Sequence, residues 1–263
     1  MNELIHQLKA AHIAHEASYP MAKLSTFRIG GVADLVILPE NTEQLRLTVN
    51  LCHAHQIPYG ILGNGSNTLF RDEEYRGAVI VTKRMAWVKR VGTQVCCGSG
   101  VMLPKLAQGM QQAGLSGLEF ACGIPGSLGG ALVMNAGAHG GQIGDLVQSC
   151  TVLNSKSDEV FTLNAEALKL GYRDSIFHHD HNLICLEVTL KLTEEAPECI
   201  RKKMQEYTAQ RREKQPLEYP SVGTPVVRAR KRGFQSCPVG RCPRMAGDRA
   251  WRIPHLCLPR SFP

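Results

Sequence analysis

Two glycine-rich stretches carry the first chemical signal in the sequence. Gly63-Asn64-Gly65-Ser66-Asn67 follows the strand-like run Tyr59–Leu62, and Gly123-Ile124-Pro125-Gly126-Ser127-Leu128-Gly129-Gly130 runs into the apolar segment ALVMNAGA, which includes Asn135 and Gly137. Successive backbone N–H groups without a Cβ in the way make an anion-binding concavity, and a helix beginning just after it adds favourable potential. Ser66, Asn67 and Ser127 offer side-chain donors, and neither stretch contains Lys or Arg. Singly, each loop reads as a turn or a close helix–sheet contact. Together they suit a diphosphate held largely by neutral donors. There is no G-x-x-x-x-G-K-[ST] run, and neither loop is a G-x-G-x-x-G after a strand with an acidic residue about twenty positions on, so a Rossmann unit is not supported.

A third candidate is Arg173 in GYRDSIF, placed between Tyr172 and Asp174. A guanidinium there could offset negative charge developing on a substrate, or it could form a structural ion pair with Asp174. His178, His179 and His181 tempt a metal reading, but adjacent histidines alternate in direction and the run falls in an expected turn before a strand. Cys237, Cys242, His255 and Cys257 match no paired C-x2-C spacing. No metal site is assigned.

The elements that must position these residues alternate between short strands and helices. Val32–Glu40 reads as a strand ending at a proline. Asn41 caps the next helix, with Gln44 three residues on as in a capping box, and Leu45, Val49 and Cys52 share a face. Strands are expected at Tyr59–Leu62 and at GAVIVTKR, then a helix through VMLPKLAQGMQQAG that ends at Gly114. A hairpin turns at Asn154–Asp158, a strand covers NLICLEVTLKLT, and a helix runs over about residues 197–212 with Ile200, Met204 and Tyr207 on one face. Leu4, Ile5, Leu8 and Ile13 give residues 1–22 an amphipathic helix. The class is α+β, without a clean βαβ order.

The net charge of +7 suggests a nucleic-acid partner until it is located. Residues 225–263 hold eight Arg, one Lys and one Asp, a net of +8, so the first 224 residues carry −1. That tail also has six prolines and no sustained period, and reads as irregular chain. No apolar run is long enough to cross a bilayer, and the N-terminus lacks the pattern of a signal peptide. Cys52, Cys96, Cys97, Cys122, Cys150, Cys185 and Cys199 lie in apolar or small-residue segments and are expected to be buried free thiols, which points to the cytoplasm.

TFRIGGVADLVILP, LGNGSNTLF, GLEFACGIPGSLGGALVMNAGAHGG, GYRDSIF and RREKQPLEYPSVG occur in this order from about Leu24 to Gly223. This set closely resembles the UDP-N-acetylenolpyruvoylglucosamine reductase family of peptidoglycan synthesis, a pathway tied to cell-wall biogenesis, cell shape and division. The resemblance implies a vanillyl-alcohol-oxidase/PCMH-type FAD-binding domain in two lobes at residues 23–190, then a substrate-binding domain beginning at 191–224. It implies non-covalent FAD with its diphosphate at Gly63–Asn67 and Gly123–Gly130, and with Asn135 and Gly137 also at the cofactor. NADPH is the implied co-substrate, and a UDP-sugar is the implied substrate of a monomer. Arg173 matches the family's active-site arginine, Tyr172 falls beside the substrate, and Thr224 stands where the family has a proton-donating serine.

After Gly223 the family pattern stops, and the segments that complete its active site are missing. The tail has the composition of an out-of-frame translation, so the substrate domain reads as replaced and turnover as impaired. A flavin-binding remnant without turnover is the alternative reading. Nucleic-acid binding through the Arg-rich tail ranks last, because its charge has no helical stripe and little aromatic interleaving.

Overall fold

In a computed structural model that describes residues 1–214, two lobes form in chain order. Helix α1 (Asn2–Ala10) is followed by strand β1 (Ala14–Pro20), then β2 (Val32–Leu38), α2 (Thr42–Ala54), β3 (Tyr59–Leu62) and β4 (Tyr75–Val81). The strands order as β1-β2-β4-β3, with β2, β4 and β3 parallel and β1 antiparallel at the edge. The sequence showed no clean βαβ order, yet β2–α2–β3 is a parallel crossover with β4 inserted between its strands. As anticipated, Asn41 Oδ1 accepts the Gln44 N–H at 2.9 Å, and Leu45, Val49 and Cys52 are buried. The Gln44 side chain accepts the Glu40 N–H at 2.9 Å, which completes the cap.

The helix expected over residues 1–22 ends at Ala10. His12 takes a left-handed φ of 53°, and Ala14 to Pro20 then pair with Leu38 to Val32. An edge strand pairs on one side only, so the polar run AHEASYP with its terminal proline can serve there although its composition does not suggest a strand.

The second lobe begins with a hairpin of β5 (Val88–Val91) and β6 (Gln94–Gly98), which turns at Gly92 and has no clear signal in the sequence. Helix α3 (Leu103–Gln112), β7 (Leu115–Ser116), a 3-10 turn at Glu119–Gly123 and the short α4 (Leu128–Val133) follow. Next come β8 (Gly137–Ala138), β9 (Gly141–Gln142), β10 (Val147–Asn154), β11 (Glu159–Asn164), β12 (Leu183–Lys191), β13 (Thr193–Glu194) and α5 (Pro197–Lys214). The main sheet is antiparallel, in the order β11-β10-β12-β6-β5. The hairpin turn falls at Asn154–Asp158, where Asn154 Oδ1 accepts the Lys156 and Ser157 N–H groups. Chain reversal after α3 uses Gly114, at φ 69°.

The largest core lies on this second sheet and is filled from α3 and α4 by Leu103, Leu106, Leu128 and Leu132. A separate apolar cluster joins the lobes: Leu45 and Val49 of α2 meet Ile80, Leu153, Ile184 and Leu186. Beside it Arg46 forks onto Asp158, with bonds of 2.7 and 2.6 Å. That pair holds the Asp158 carboxyl below the usual carboxylate range, chiefly through the hydrogen bond from Arg46. All seven cysteines among the described residues are free. Cys52, Cys97, Cys150 and Cys185 are buried as expected, and burial pushes the thiols of Cys52 and Cys97 up to about 12. Cys199, on the outer face of α5, is exposed instead, and Cys96 and Cys122 are half-buried.

Candidate functional site

The two glycine-rich loops are sixty residues apart in sequence and lie against each other in space. Asn64 Nδ2 donates to the Pro125 carbonyl at 2.6 Å. Gly63 abuts the Ser127 hydroxyl closely enough that a Cβ would overlap it, and a Cβ on Gly126 would stand 3.7 Å from Ser66 Oγ. Strand β3 delivers the first loop and the 3-10 turn Glu119–Gly123 delivers the second, each at the end of a core element.

Their backbones behave differently. None of the N–H groups of Gly63, Asn64, Gly65, Ser66 and Asn67 finds an acceptor among the described residues. Gly65 holds φ at 68°, and its missing Cβ makes room for the Leu24 carbonyl oxygen, which fixes the loop against the preceding segment. Five consecutive unpaired donors at a strand end suit an anion such as a diphosphate.

In the second loop the helical donors are already taken. Leu128 N–H bonds to Val101 O at 2.8 Å, Gly129 N–H to Ser99 O at 2.8 Å, and Gly130 N–H to Ser127 Oγ at 3.4 Å. Ser127 is 1% exposed and caps α4. The N-terminus of α4 is thus satisfied within the fold. Gly129 is small because the Ser99 backbone passes over it. Ser99 itself is buried, and its hydroxyl has no partner among the described residues.

A positive charge reaches the second loop from a distant element. Arg211 on α5 donates through Nη1 to the Gly123 carbonyl, 88 residues earlier in the chain. Neither loop has a Lys or Arg of its own, and this guanidinium comes from an element that the sequence does not bring near them. Helix periodicity carried the missing signal, since Ile200, Met204, Tyr207 and Arg211 follow one another at helical spacing.

At the other end of α4 stands the turn that carries Tyr172 and Arg173. Gly171 and Asp174 close it with backbone bonds of 3.0 and 3.4 Å. Arg173 sits at φ 56°, a left-handed conformation that costs a non-glycine residue about 1 kcal/mol or more. Two bonds fasten the turn to the end of α4 and the residues just after it: Ser175 Oγ donates to Val133 O at 2.6 Å, and Asn135 Nδ2 donates to Gly171 O at 2.8 Å. Asn135, 3% exposed, also accepts the Gly144 N–H at 2.8 Å. Its side chain is therefore committed to protein, and Gly137 packs in β8 against Gly141. Helix α4 is six residues long, about 9 Å, and so links the glycine loops to the Arg173 turn.

Asp174 does not pair with Arg173. His178 and His179 both bond to it, at 3.2 and 3.1 Å, and His179 contributes most to lowering its carboxyl below the ordinary range. Arg173 is left without a carboxylate partner among the described residues. Tyr172 is 75% exposed. Thr224 and the proline-rich tail lie outside the described residues.

Residues 33–164 match the family model described as an FAD binding domain. The chain is 44% identical over 209 residues to UDP-N-acetylenolpyruvoylglucosamine reductase of Clostridium botulinum, covering 80% of this chain and 68% of that protein. It is 43% identical over 224 residues to the protein of that name from Listeria monocytogenes, covering 85% and 74%. Among solved structures, UDP-N-acetylenolpyruvylglucosamine reductase from Thermus caldophilus superposes with a TM-score of 0.67 at 33% identity, over 81% of this chain and 73% of that one. A solvent-stable cholesterol oxidase, at 17% identity and TM-score 0.55 over 70% of this chain and 38% of its own, shares the fold.

Proposed function

Because the chain belongs to the UDP-N-acetylenolpyruvoylglucosamine reductase family, a family of oxidoreductases, we propose that it binds FAD non-covalently, takes NADPH as reductant and acts on an enolpyruvyl UDP-sugar in the cytoplasm, with turnover impaired. The observation that carries the cofactor reading is the row of five unpaired N–H groups at Gly63–Asn67, set against Pro125–Ser127. Bound FAD would supply hydride transfer from NADPH to the enolpyruvyl double bond.

The chain's own residues have separate tasks. Gly63–Asn67 bind the diphosphate through backbone donors, while Gly126 and Ser127 wall the same concavity. Gly129 acts through packing, the exposed Gly130 gives its N–H to the Ser127 hydroxyl, and Asn135 and Gly137 act by holding the backbone beside the cofactor. Arg173, on a braced and strained turn, places a guanidinium where charge builds on the substrate carboxylate. Tyr172, exposed beside it, faces the substrate. Thr224 would donate the proton to the adjacent carbon, and its threonine methyl and following proline are one source of impairment. The other is the change of sequence after Gly223: α5 opens a substrate-binding domain that the basic tail does not continue.

Purified protein tests this directly. It should be yellow, show flavin absorption and bleach with NADPH, and the enolpyruvyl substrate should reoxidise it weakly or not at all. Colourless protein that cannot be reconstituted with FAD overturns the cofactor reading, and turnover at the level of an intact relative overturns the impairment.

A further inference from the structure

The main sheet of the second lobe ends in two edge strands of different build. At one edge stands β5, Val88-Lys89-Arg90-Val91, with cations at its two central positions. At the other stands β11, Glu159-Val160-Phe161-Thr162-Leu163-Asn164, in regular register with β10 and without proline, lysine, arginine or bulge. Val160 and Phe161 are 43% and 37% exposed. Cations, prolines and bulges keep an edge strand from pairing with another chain, since its outer N–H and C=O groups have no ladder partner. Strand β5 has that protection and β11 has none. Among the described residues β10 is the only strand paired with β11.

Strand β11 is complementary to itself. Val160 stands opposite Leu153, which packs with α2, and Phe161 stands opposite Val152 of the main core, so the two extend opposite faces of the sheet. Residues directly opposed on paired strands share a face, so a two-fold axis normal to the sheet passes through one residue of the strand. At Thr162 that axis sets Phe161 against Leu163 of the second copy, twice over; at Phe161 it would set Glu159 against Leu163. The charges agree with such pairing. Lys156, in the turn before β11, and Glu166, just after it, are exposed and have no ion-pair partner among the described residues. Antiparallel pairing brings Lys156 of each copy to the end that carries Glu166 of the other. We propose that β11 is a self-association edge, at which two copies of this chain join their five-stranded sheets about a two-fold axis at Thr162. The family resemblance implies a monomer, and this edge uses none of the residues assigned to cofactor or substrate. One strand pair covers less than the roughly 1,200 Å² of a standard interface, so the dimer forms with a dissociation constant of about 1–100 μM.

The test is sedimentation equilibrium of the full-length protein over a concentration range of about a hundredfold around that constant. The mean mass should climb from that of one chain towards that of two. Thr162→Lys sets two ammonium groups against each other at the axis and should raise the dissociation constant about tenfold. Lys156→Glu should raise it about threefold, and Lys156→Glu combined with Glu166→Lys should restore it, because the pair is then reversed rather than broken. All three side chains are exposed or pair only at the surface, so Tm should stay near wild type. Where Thr162→Lys disturbs folding, the charge exchange carries the test by itself. A chain that stays monomeric across the whole range overturns the proposal. So does a dimer that Thr162→Lys and Lys156→Glu leave within about twofold of wild type, since another surface then joins the copies.

Discussion

Gly63–Asn67 and Gly126–Gly130 touch each other and share a composition of glycine with small polar residues, but the first has five N–H groups with no acceptor among the described residues and the second has its helical donors bonded to Val101, Ser99 and Ser127. In the first loop glycine allows a left-handed turn under the Leu24 carbonyl. In the second it allows α4 to pack on the Ser99 backbone. Glycine density therefore marks close backbone approach in both places, and only the hydrogen-bond inventory says whether the neighbour is protein or ligand.

The sharpest way to break that contrast is Gly65→Ala. The new Cβ overlaps the Leu24 carbonyl oxygen, and the left-handed backbone adds strain of its own. Together these amount to roughly 3 kcal/mol, relieved by moving the loop. The ratio of flavin to protein absorbance should fall more than tenfold, by about as much as that strain implies. Gly126→Ala is the matched comparison: its Cβ meets only ordinary contacts at 3.7 and 3.8 Å, so the loop keeps its place and flavin content should fall far less, by only what one methyl on the wall of the concavity takes from the ligand. Equal losses in the two variants would erase the distinction between the loops.

Gly129→Ala should act on the fold instead. Its Cβ would stand 2.7 Å from Ser99 Cβ and 3.1 Å from Ser99 O, deep under α4. Overpacking of this kind costs about 1–3 kcal/mol, or roughly 3–10 °C in Tm for a domain of this size. FAD affinity of the folded fraction should stay near wild type. A loss of affinity without a loss of Tm would mean that Gly129 meets the ligand after all.

What was legible in the sequence follows from the range of the signals. The Asn41 cap, the turn at Gly114 and the hairpin at Asn154–Asp158 depend on neighbours in the chain, and all three appear in the structure. Strand β1 was missed because its pairing with β2 supplies what AHEASYP lacks in propensity. The two loops were recognisable as backbone devices, but which donors remain open depends on Ser99 and Val101, which approach from another element. The resemblance puts Asn135 at the cofactor, and the structure adds that its amide fastens Gly171 and Gly144, a link that depends on segments distant in the chain. Arg211 was hidden for the same reason, since nothing local connects it with Gly123.

The smallest effect expected, and the finest test of the contrast, is Ser127→Ala. Read by its sequence, Ser127 offers a hydroxyl to a phosphate; in the structure that hydroxyl is buried, caps α4 through Gly130 N–H and fills the space over Gly63. Loss of an N-cap costs about 1 kcal/mol, which corresponds to roughly 2–4 °C in Tm. It also frees the Gly130 N–H toward the same concavity, so the anion gains a backbone donor as it loses nothing it was using. FAD affinity should therefore change by less than about threefold while Tm falls. The reverse pattern, affinity down about tenfold at unchanged Tm, would show that the hydroxyl turns to the diphosphate when FAD binds. The second loop would then be a ligand-binding loop in the same sense as the first.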